Sequence, residues 1–301
     1  MPSIHSQLFS KIADQAMKSI FSDFSVDKAR DRLGRIDALN PGPTGVSIQP
    51  RDLSQCSAEW IRTGKATDRV VLYLPGGAWV LRSPGTHRRI AAGVAKAANA
   101  NVLLVFYRLA PEHPFPAGLQ DCVEAYETLV GEGIAAQRIV IGGDSAGGNL
   151  TLGTLLALRD GAANMPAGAF ALSPCTDMSL KDDGAPFDTS DLGSESADSA
   201  QRVDGDPRLL YAAGNADVLD HPYASPLRGD LHDLCPLLLQ VGSTETLVDH
   251  STMFADRARE AGVDAEVEVW EGQSHVWHTM PFPESEQAFE HVGDFVRRCC
   301  P

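Results

Sequence analysis

The sequence has few basic residues, and this shortage excludes several classes of protein. Its 301 residues include 25 Lys and Arg against 40 Asp and Glu, a formal net charge of −15 at pH 7. A surface with that excess of negative charge repels nucleic-acid phosphates and anionic lipid headgroups. We therefore expect neither nucleic acid nor a membrane as a partner.

Cysteine is scarce, and its spacing lacks the signatures of a metal site or a disulfide framework. None of the six cysteines forms a C-x-x-C pair or lies at metal-ligand spacing from a histidine. We interpret them as reduced thiols, mostly buried, and expect the adjacent Cys299 and Cys300 at the surface. Residues 1–21 lack the apolar stretch of a signal peptide, and no apolar run reaches membrane-spanning length. A cytoplasmic location is the resulting expectation.

Short apolar runs alternate with amphipathic segments from residue 46 onward. Such runs predict strands, and the amphipathic segments predict helices. This alternation is typical of an α/β protein with a mostly parallel sheet covered on both faces. The predicted strands are 46–50, 58–63, 69–74, 101–106, 138–141, 168–172, 237–241 and 264–270, and the predicted helices are 86–98, 117–132, 146–160, 249–262 and 284–298. The last strand alternates acidic and apolar residues, which favours a place near the edge of the sheet.

Two segments lie outside this alternation. Residues 5–38 carry apolar side chains at helical spacing and predict two short amphipathic helices. Residues 178–222 form a long acidic insertion, in which helical spacing returns at 207–213. A disordered surface loop is the simpler interpretation of the insertion. We favour a cap subdomain, built from about 1–45 and 178–222, on a single domain of residues 1–301.

The segment IVIGGDSAGGNLTLG carries the strongest chemical signal. Its residues 143–147 fit G-x-S-x-G, between an apolar strand and a helix, which is the context that this motif requires. Ser145 would lie on a sharp turn, where Gly143 and Gly147 leave room for the backbone. The start of the helix favours negative charge that develops there. We therefore predict that Ser145 is a nucleophile, and not a residue of a plain turn.

A serine nucleophile needs a base and an acid, expected in the order Ser, acid, His at the ends of later strands. Glu245 follows the seventh predicted strand, and Asp249 comes four residues later, where it suits the first turn of a helix. We favour Glu245 as the acid. His275 follows the eighth strand, and we favour it as the base over His278, three residues further on.

Two adjacent glycines, Gly76 and Gly77, follow the third predicted strand. Glycine at such a place serves either a simple turn or a backbone that approaches a ligand closely. Taken alone, the turn is the commoner explanation. The nucleophile motif elsewhere in the chain reverses that preference.

Several motifs occur together and in order: GDSAGGN, YRLAPEHPFPA at 107–117, the glycines after the third strand, and SHVWH at 274–278. This combination resembles the hormone-sensitive-lipase-like (bacterial family IV) esterases of the α/β-hydrolase superfamily, from about residue 40 to the C-terminus. The resemblance implies the α/β-hydrolase fold, with a mostly parallel eight-stranded sheet flanked by helices and a helical cap. It also implies hydrolysis of short- to medium-chain carboxylic esters, or lactones, through an acyl-enzyme, with no cofactor and no metal. The expected partner is a small-molecule ester, and a homodimer is compatible with the sequence.

Members of that family carry H-G-G-G where this chain has Pro75, Gly76, Gly77 and Ala78. The resemblance therefore places the oxyanion hole at Gly76, Gly77, Ala78 and Ala146, with the N–H groups of Gly77, Ala78 and Ala146 as donors. Pro75 lacks the imidazole of the family histidine, and Ala78 resists positive φ. We expect the geometry of this loop to depart from the family pattern.

Two other functions use the same residues. One is an amidase or deacetylase with the same triad, which only substrate profiling separates from an esterase. The other is a non-catalytic, small-molecule-binding member of the fold. Such a member should lack one of the triad residues, whereas Ser145, Glu245 and His275 are all present.

Overall fold

The structure is a computed structural model that describes residues 25–65, 67–179 and 206–301. Eight strands of this part form one sheet in the order β1-β2-β4-β3-β5-β6-β7-β8. Strand β2 runs antiparallel to β1 and β4, and all other neighbours are parallel. The strands are β1 (Ser47–Asp52), β2 (Ser57–Arg62), β3 (Val70–Leu74), β4 (Asn101–Phe106), β5 (Ile139–Asp144), β6 (Gly168–Leu172), β7 (Leu237–Gly242) and β8 (Ala265–Trp270). The predicted mostly parallel sheet of eight strands is confirmed.

Helices cover both faces of the sheet. Those of the described residues are α1 (Val26–Asp37), α2 (Pro84–Ala98), α3 (Ala117–Gly131), α4 (Ala146–Asp160), α5 (Pro207–Tyr211), α6 (Ala216–Leu219), α7 (Val248–Glu260) and α8 (Pro283–Cys299). Helices α2 and α8 bury apolar side chains against one face of the sheet. Helices α3, α4 and α7 do so against the other. The five helices predicted between residues 86 and 298 are confirmed, with small differences at their ends.

The centre of the sheet is apolar on both faces because each face is covered. All five residues of β3 are buried, and successive side chains point to opposite faces. Val71 and Tyr73 therefore pack with α2 and α8, whereas Leu72 and Leu74 join the core on the other face. A continuous apolar run of this kind is what a doubly covered parallel strand requires.

Strand β8 lies at one edge of the sheet, as its acidic alternation predicts. Glu266 is exposed, and Val269 keeps 46% of its surface accessible. The charged side chains along this strand discourage pairing with a further strand.

Strand β5 is longer than the sequence predicts, and the reason is steric. The strand continues through Gly142 and Gly143 to Asp144, instead of ending at 141. A Cβ at Gly142 would lie 2.2 Å from Cζ of Phe170, so the ring on β6 occupies the space of the missing side chain. Here glycine serves close packing inside a strand, and does not end the strand.

Helix α1 is joined to the loop and helix that follow β3. Arg30 Nε donates to the carbonyl of Val80 at 2.9 Å. Asp37 accepts the N–H groups of Gly85 at 2.8 Å and Thr86 at 2.9 Å, so it caps the N-terminus of α2 from another element. Burial raises the pKa of Asp37, but these hydrogen bonds and those from side chains outweigh it and hold the pKa below its usual value. The other predicted N-terminal helix, at residues before 25, lies outside the described residues.

The cysteines are free thiols in the structure, as the sequence predicts. The expectation that Cys299 and Cys300 lie at the surface is wrong for Cys300. Cys300 is fully buried and Cys299 is partly buried, because the end of α8 packs against the sheet. Within the described ranges, no helix is both long enough and apolar enough to cross a membrane.

Candidate active site

Ser145 lies on the tight turn between β5 and α4. Its φ of 52° and ψ of −117° are unusual for a residue with a side chain. The neighbouring glycines make this turn possible. A Cβ at Gly143 would lie 2.4 Å from the carbonyl oxygen of Leu74, and one at Gly147 would lie 1.9 Å from the same atom. The strand–turn–helix context predicted for the motif is therefore present, with the serine at its apex.

Three side chains predicted from separate parts of the sequence meet at this turn. His275 Nε2 lies 2.9 Å from Oγ of Ser145, and His275 Nδ1 lies 2.5 Å from Oε2 of Glu245. The carboxylate is nearly inaccessible, with 2% of its side chain exposed, whereas 35% of the imidazole is exposed. A buried acid thus orients an imidazole whose other nitrogen faces the serine hydroxyl. This arrangement can remove a proton from Ser145.

Two further donors fix the carboxylate of Glu245. Its Oε1 accepts the N–H of Gly242 at 2.6 Å and the hydroxyl of Ser173 at 2.7 Å. Oε2 therefore remains for the imidazole of His275. Asp249 lies in the first turn of α7, the place expected from the sequence.

His278 has a different partner and is buried. Its Nε2 lies 2.9 Å from Oε1 of Gln240, whose amide nitrogen donates to Glu268 at 2.9 Å and to the carbonyl of Ala288 at 3.2 Å. Because the amide nitrogen of Gln240 is the donor in both contacts, its oxygen must accept, and the proton of the imidazole lies on Nε2. Burial lowers the pKa of His278 to about 3. The network holds the loop after β8, three residues from His275.

The loop after β3 lies against the turn that carries Ser145, since a Cβ at Gly147 would lie 2.7 Å from the carbonyl carbon of Pro75. Gly77 has a φ of 124°, and a Cβ there would lie 2.3 Å from the carbonyl oxygen of Leu81. Ala78 has a φ of 51°, so it adopts a conformation that alanine disfavours. The N–H groups of Gly77, Ala78 and Ala146 have no hydrogen-bond partner among the described residues.

Gly76 differs from its neighbours. Its N–H donates to Oδ1 of Asp144 at 3.1 Å, so this N–H is engaged and is not a donor for an oxyanion. A Cβ at Gly76 would lie 2.3 Å from Oδ2 of Asp144. The prediction that included Gly76 in the oxyanion hole is therefore corrected. The small size of Gly76 lets the loop approach Asp144, the residue before Ser145.

Asp144 connects the loop after β3 to the turn that carries Ser145, a role that the sequence did not predict. Its carboxylate also accepts the hydroxyl of Tyr73 at 2.7 Å and faces Nε2 of His87 at 3.6 Å. Burial raises the pKa of Asp144, but His87, Tyr73 and the N–H of Gly76 outweigh that effect and hold the pKa below its usual value. The available signal was the carboxylate inside the G-x-S-x-G motif, next to Ser145.

The segment 107–117 supports the same loop. Tyr107 donates its hydroxyl to the carbonyl of Pro75 at 2.7 Å, so the loop is held although Pro75 has no imidazole. Arg108 pairs with the buried Asp121 at 2.7 Å. Glu112 pairs with Arg30 of α1. These contacts give Arg108 and Glu112 structural positions.

Comparison with known proteins identifies related chains. The family described as alpha/beta hydrolase fold matches residues 71–279. An acetyl-hydrolase of Streptomyces hygroscopicus is 38% identical over 276 residues, which cover 90% of this chain and 87% of that protein. Sequence similarity therefore extends over nearly the full length of both proteins.

Solved structures of esterases share the fold. An esterase from the bacterial hormone-sensitive lipase family matches with a TM-score of 0.86 and 36% identity, over 100% of both chains. The esterase EstE5 matches with a TM-score of 0.81 and 34% identity, over 91% of each chain. These findings confirm the resemblance seen in the motifs. The chain therefore belongs to the hormone-sensitive-lipase-like esterases of the α/β-hydrolase fold, and it is a carboxylic ester hydrolase.

Proposed function

We propose that the protein hydrolyses esters of short- to medium-chain carboxylic acids through an acyl-enzyme on Ser145. The observation that carries the proposal is the hydrogen-bonded chain from Ser145 Oγ through His275 to Glu245, with distances of 2.9 and 2.5 Å. Such a chain raises the nucleophilicity of a serine that is weak at its own pKa.

In the first half of the reaction, Ser145 Oγ attacks the carbonyl carbon of the ester. His275 Nε2 takes the hydroxyl proton as the new C–O bond forms. The tetrahedral intermediate collapses when the bond to the alcohol breaks, and His275 returns the proton to the leaving alcohol. The acyl group remains on Ser145.

In the second half, water takes the place of the serine hydroxyl. His275 removes a proton from the water, which attacks the acyl carbon. Collapse of the second tetrahedral intermediate breaks the bond to Ser145 Oγ, which regains its proton from His275. Glu245 stabilises the imidazolium in both halves and remains ionised.

The oxyanion of both intermediates would be bound by the N–H groups of Gly77, Ala78 and Ala146. Donation is a property of the backbone, so Ala78 serves as well as glycine once its φ is positive. Ala146 is the first residue of α4, where an N–H has no partner within the helix. Fixed donors of this kind stabilise developing negative charge without reorganisation.

We also propose that about 1–45 and 178–222 form a cap on the single domain and limit acyl length. Two described elements support this. Helix α1 binds the loop after β3, and Tyr211 of α5 stacks on Trp79 with ring centroids 5.1 Å apart. Trp79 directly follows Ala78, so part of the insertion packs behind the proposed oxyanion donors. Most of the remaining cap lies outside the described residues.

Names of related proteins support small acyl groups. The Streptomyces relative is called an acetyl-hydrolase, and crystals of EstE5 were soaked with p-nitrophenyl butyrate. Capped pockets accept such chains more readily than long ones, although this argument is one of fold-level analogy.

The proposal is tested with p-nitrophenyl esters of rising acyl length, an anilide, a lactone and the Ser145→Ala variant. We expect kcat/KM to be highest for acetate to hexanoate and to fall for longer chains. Ser145→Ala should lose about 10⁴-fold or more in kcat with every substrate and keep its melting temperature. Turnover of the anilide above the esters would favour the amidase, and a residual activity of a few per cent in Ser145→Ala would refute the nucleophile.

A further inference from the structure

Ser173 lies between the proposed nucleophile Ser145 and the proposed acid and base, Glu245 and His275. It belongs neither to the G-x-S-x-G motif nor to the SHVWH motif. It is the residue directly after β6, is fully buried, and has a φ of 49°. A positive φ is unfavourable for serine, and it persists only where the surroundings impose it. The contacts of Ser173 show what those surroundings are.

The hydroxyl of Ser173 joins two loops. It donates to Oε1 of Glu245 at 2.7 Å, in the loop after β7. It also accepts the N–H of Val276 at 3.2 Å, in the loop after β8, one residue past His275. A hydroxyl has one proton and two lone pairs, so both bonds can exist together.

The backbone beside Ser173 is equally connected. Its own N–H donates to the carbonyl of Gln240 at 2.7 Å, and the preceding carbonyl, of Leu172, accepts the N–H of Ser145 at 2.7 Å. The end of β6 therefore contacts the residue that bears the proposed nucleophile, the proposed acid, and the residue after the proposed base. No other hydroxyl among the described residues bonds to Glu245.

We propose that Ser173 is a positioning residue for ester hydrolysis. By donating to Oε1 it fixes the rotation of the Glu245 carboxylate, so that Oε2 faces Nδ1 of His275. By accepting the N–H of Val276 it fixes the height of the imidazole above Ser145. This inference rests on the roles proposed for Ser145, His275 and Glu245.

A merely structural serine would behave differently, and the chain contains one for comparison. Ser251 on α7 is also fully buried, but its hydroxyl has no partner among the described residues. Ser251→Ala therefore removes the same atom from a similar environment without touching the site. It is the matched control for Ser173→Ala.

The first experiment compares kcat and KM of Ser173→Ala, Ser173→Gly and Ser251→Ala on p-nitrophenyl butyrate. We expect kcat to fall about 10- to 100-fold in both Ser173 variants, because small misplacements of reacting groups have effects of that size. KM should stay within about twofold, since Ser173 does not line the path of the substrate in the proposed mechanism. Ser251→Ala should keep the kcat of the parent.

The glycine variant separates the hydroxyl from backbone strain. Glycine adopts a φ of 49° without penalty, whereas alanine keeps the strain of serine. If Ser173→Ala folds poorly, Ser173→Gly still carries the test. A kcat of Ser173→Gly equal to that of the parent would overturn the proposal, because the hydroxyl would then be dispensable.

The second experiment is a double-mutant cycle with Glu245→Ala. If Ser173 acts through Glu245, Ser173→Ala should reduce kcat by no more than about threefold in the Glu245→Ala background. A full, additive loss in that background would overturn the positioning role. A large loss in Glu245→Ala with none in Ser173→Ala would overturn this inference alone. A Glu245→Ala variant with the kcat of the parent would overturn the proposed acid and this inference with it.

Discussion

The loops after β3 and β5, which carry the proposed oxyanion donors and nucleophile, approach each other closely at the main chain and are held further by the side chains of Asp144 and Tyr107. The loops after β6, β7 and β8, which carry Ser173 and the proposed acid and base, are bridged by side-chain hydrogen bonds. We call these the nucleophile side and the acid–base side. On the nucleophile side, Gly77, Gly143 and Gly147 lie where a Cβ would overlap a main-chain atom. On the acid–base side, hydroxyl, amide and imidazole groups bridge one loop to the next, as Ser173 and Gln240 show.

This difference predicts two responses to substitution. Overlap with main-chain atoms is relieved only when the backbone moves, so a change on the nucleophile side should affect the whole turn. A lost hydrogen bond on the acid–base side leaves the loops in place but less well ordered. We expect abrupt effects on the first side and graded effects on the second.

The largest effect is expected from the proposed acid, Glu245, and it sharpens the comparison on the acid–base side. Glu245→Gln should reduce kcat by about 10²- to 10⁴-fold, because an amide favours the wrong tautomer of His275. Asp249→Asn, in the first turn of α7, is the matched control and should change kcat by less than about threefold. Steady-state rates on p-nitrophenyl butyrate decide between them. A larger loss in Asp249→Asn would identify Asp249 as the acid.

On the nucleophile side, Gly147→Ala should lower the free energy of unfolding by about 3 kcal/mol or more. The new Cβ would lie 1.9 Å from the carbonyl oxygen of Leu74, and backbone atoms cannot rotate away. Gly34→Ala on α1 is the matched change, since a Cβ there meets nothing within 4 Å. Urea unfolding of both variants measures the difference. Equal stabilities would break the comparison, because the turn would then tolerate a side chain.

A graded effect with pH is expected from His278. Its pKa of about 3 in the folded protein lies below the ordinary value of 6.5. The unfolded chain therefore binds a proton between these values while the folded protein does not, so stability falls as the pH drops below about 6.5. Between pH 7 and pH 5 this histidine should account for about 2 kcal/mol of the loss.

His278→Gln provides the corresponding control, because glutamine can still donate to Gln240 but cannot take up a proton. Urea unfolding at pH 7 and pH 5 should show a smaller decrease in this variant than in the parent. If both proteins lose the same free energy, the buried imidazole does not govern the acid dependence.

The smallest effect on the nucleophile side is expected from a substitution at Ala78. Because Ala78 already has a φ of 51°, Ala78→Gly should leave the loop geometry unchanged. The glycine relieves about 1 kcal/mol of backbone strain in the folded protein. It also gives the unfolded chain more conformational entropy, which lowers stability by about 0.4–1 kcal/mol. We therefore expect the ratio of kcat/KM for tertiary- and primary-alcohol acetates to change by less than about twofold. A clear gain for the tertiary ester would mean that the methyl group restricts the loop.

The sequence predicted the elements of the fold because local patterns determine them. Apolar runs, glycines and helical spacing identified the eight strands and five helices from residues close together in the chain. Ser145, Glu245 and His275 could be placed for a related reason, since motif and strand order assign each to the end of a strand. Their meeting in the structure follows from the parallel sheet.

Other parts of the site depend on contacts between residues that are far apart in the sequence, and no local sequence pattern predicts such contacts. The hydroxyl of Ser173 meets Glu245 across 72 positions, and Asp144 meets Gly76 across 68. Ala78 has a positive φ, and the buried Trp79 beside it is stacked on Tyr211, which lies far away in the sequence. Tertiary packing overrides local preference at such a residue.

The acyl-enzyme on Ser145 is the central claim, and its direct detection is the most decisive measurement. The protein is mixed rapidly with p-nitrophenyl butyrate, quenched in acid and examined by intact-protein and peptide mass spectrometry. The account predicts a butyryl group on the peptide that contains Ser145, with at most one group per chain, and none in Ser145→Ala. A butyryl group on another residue, or turnover by Ser145→Ala at the rate of the parent, would contradict it.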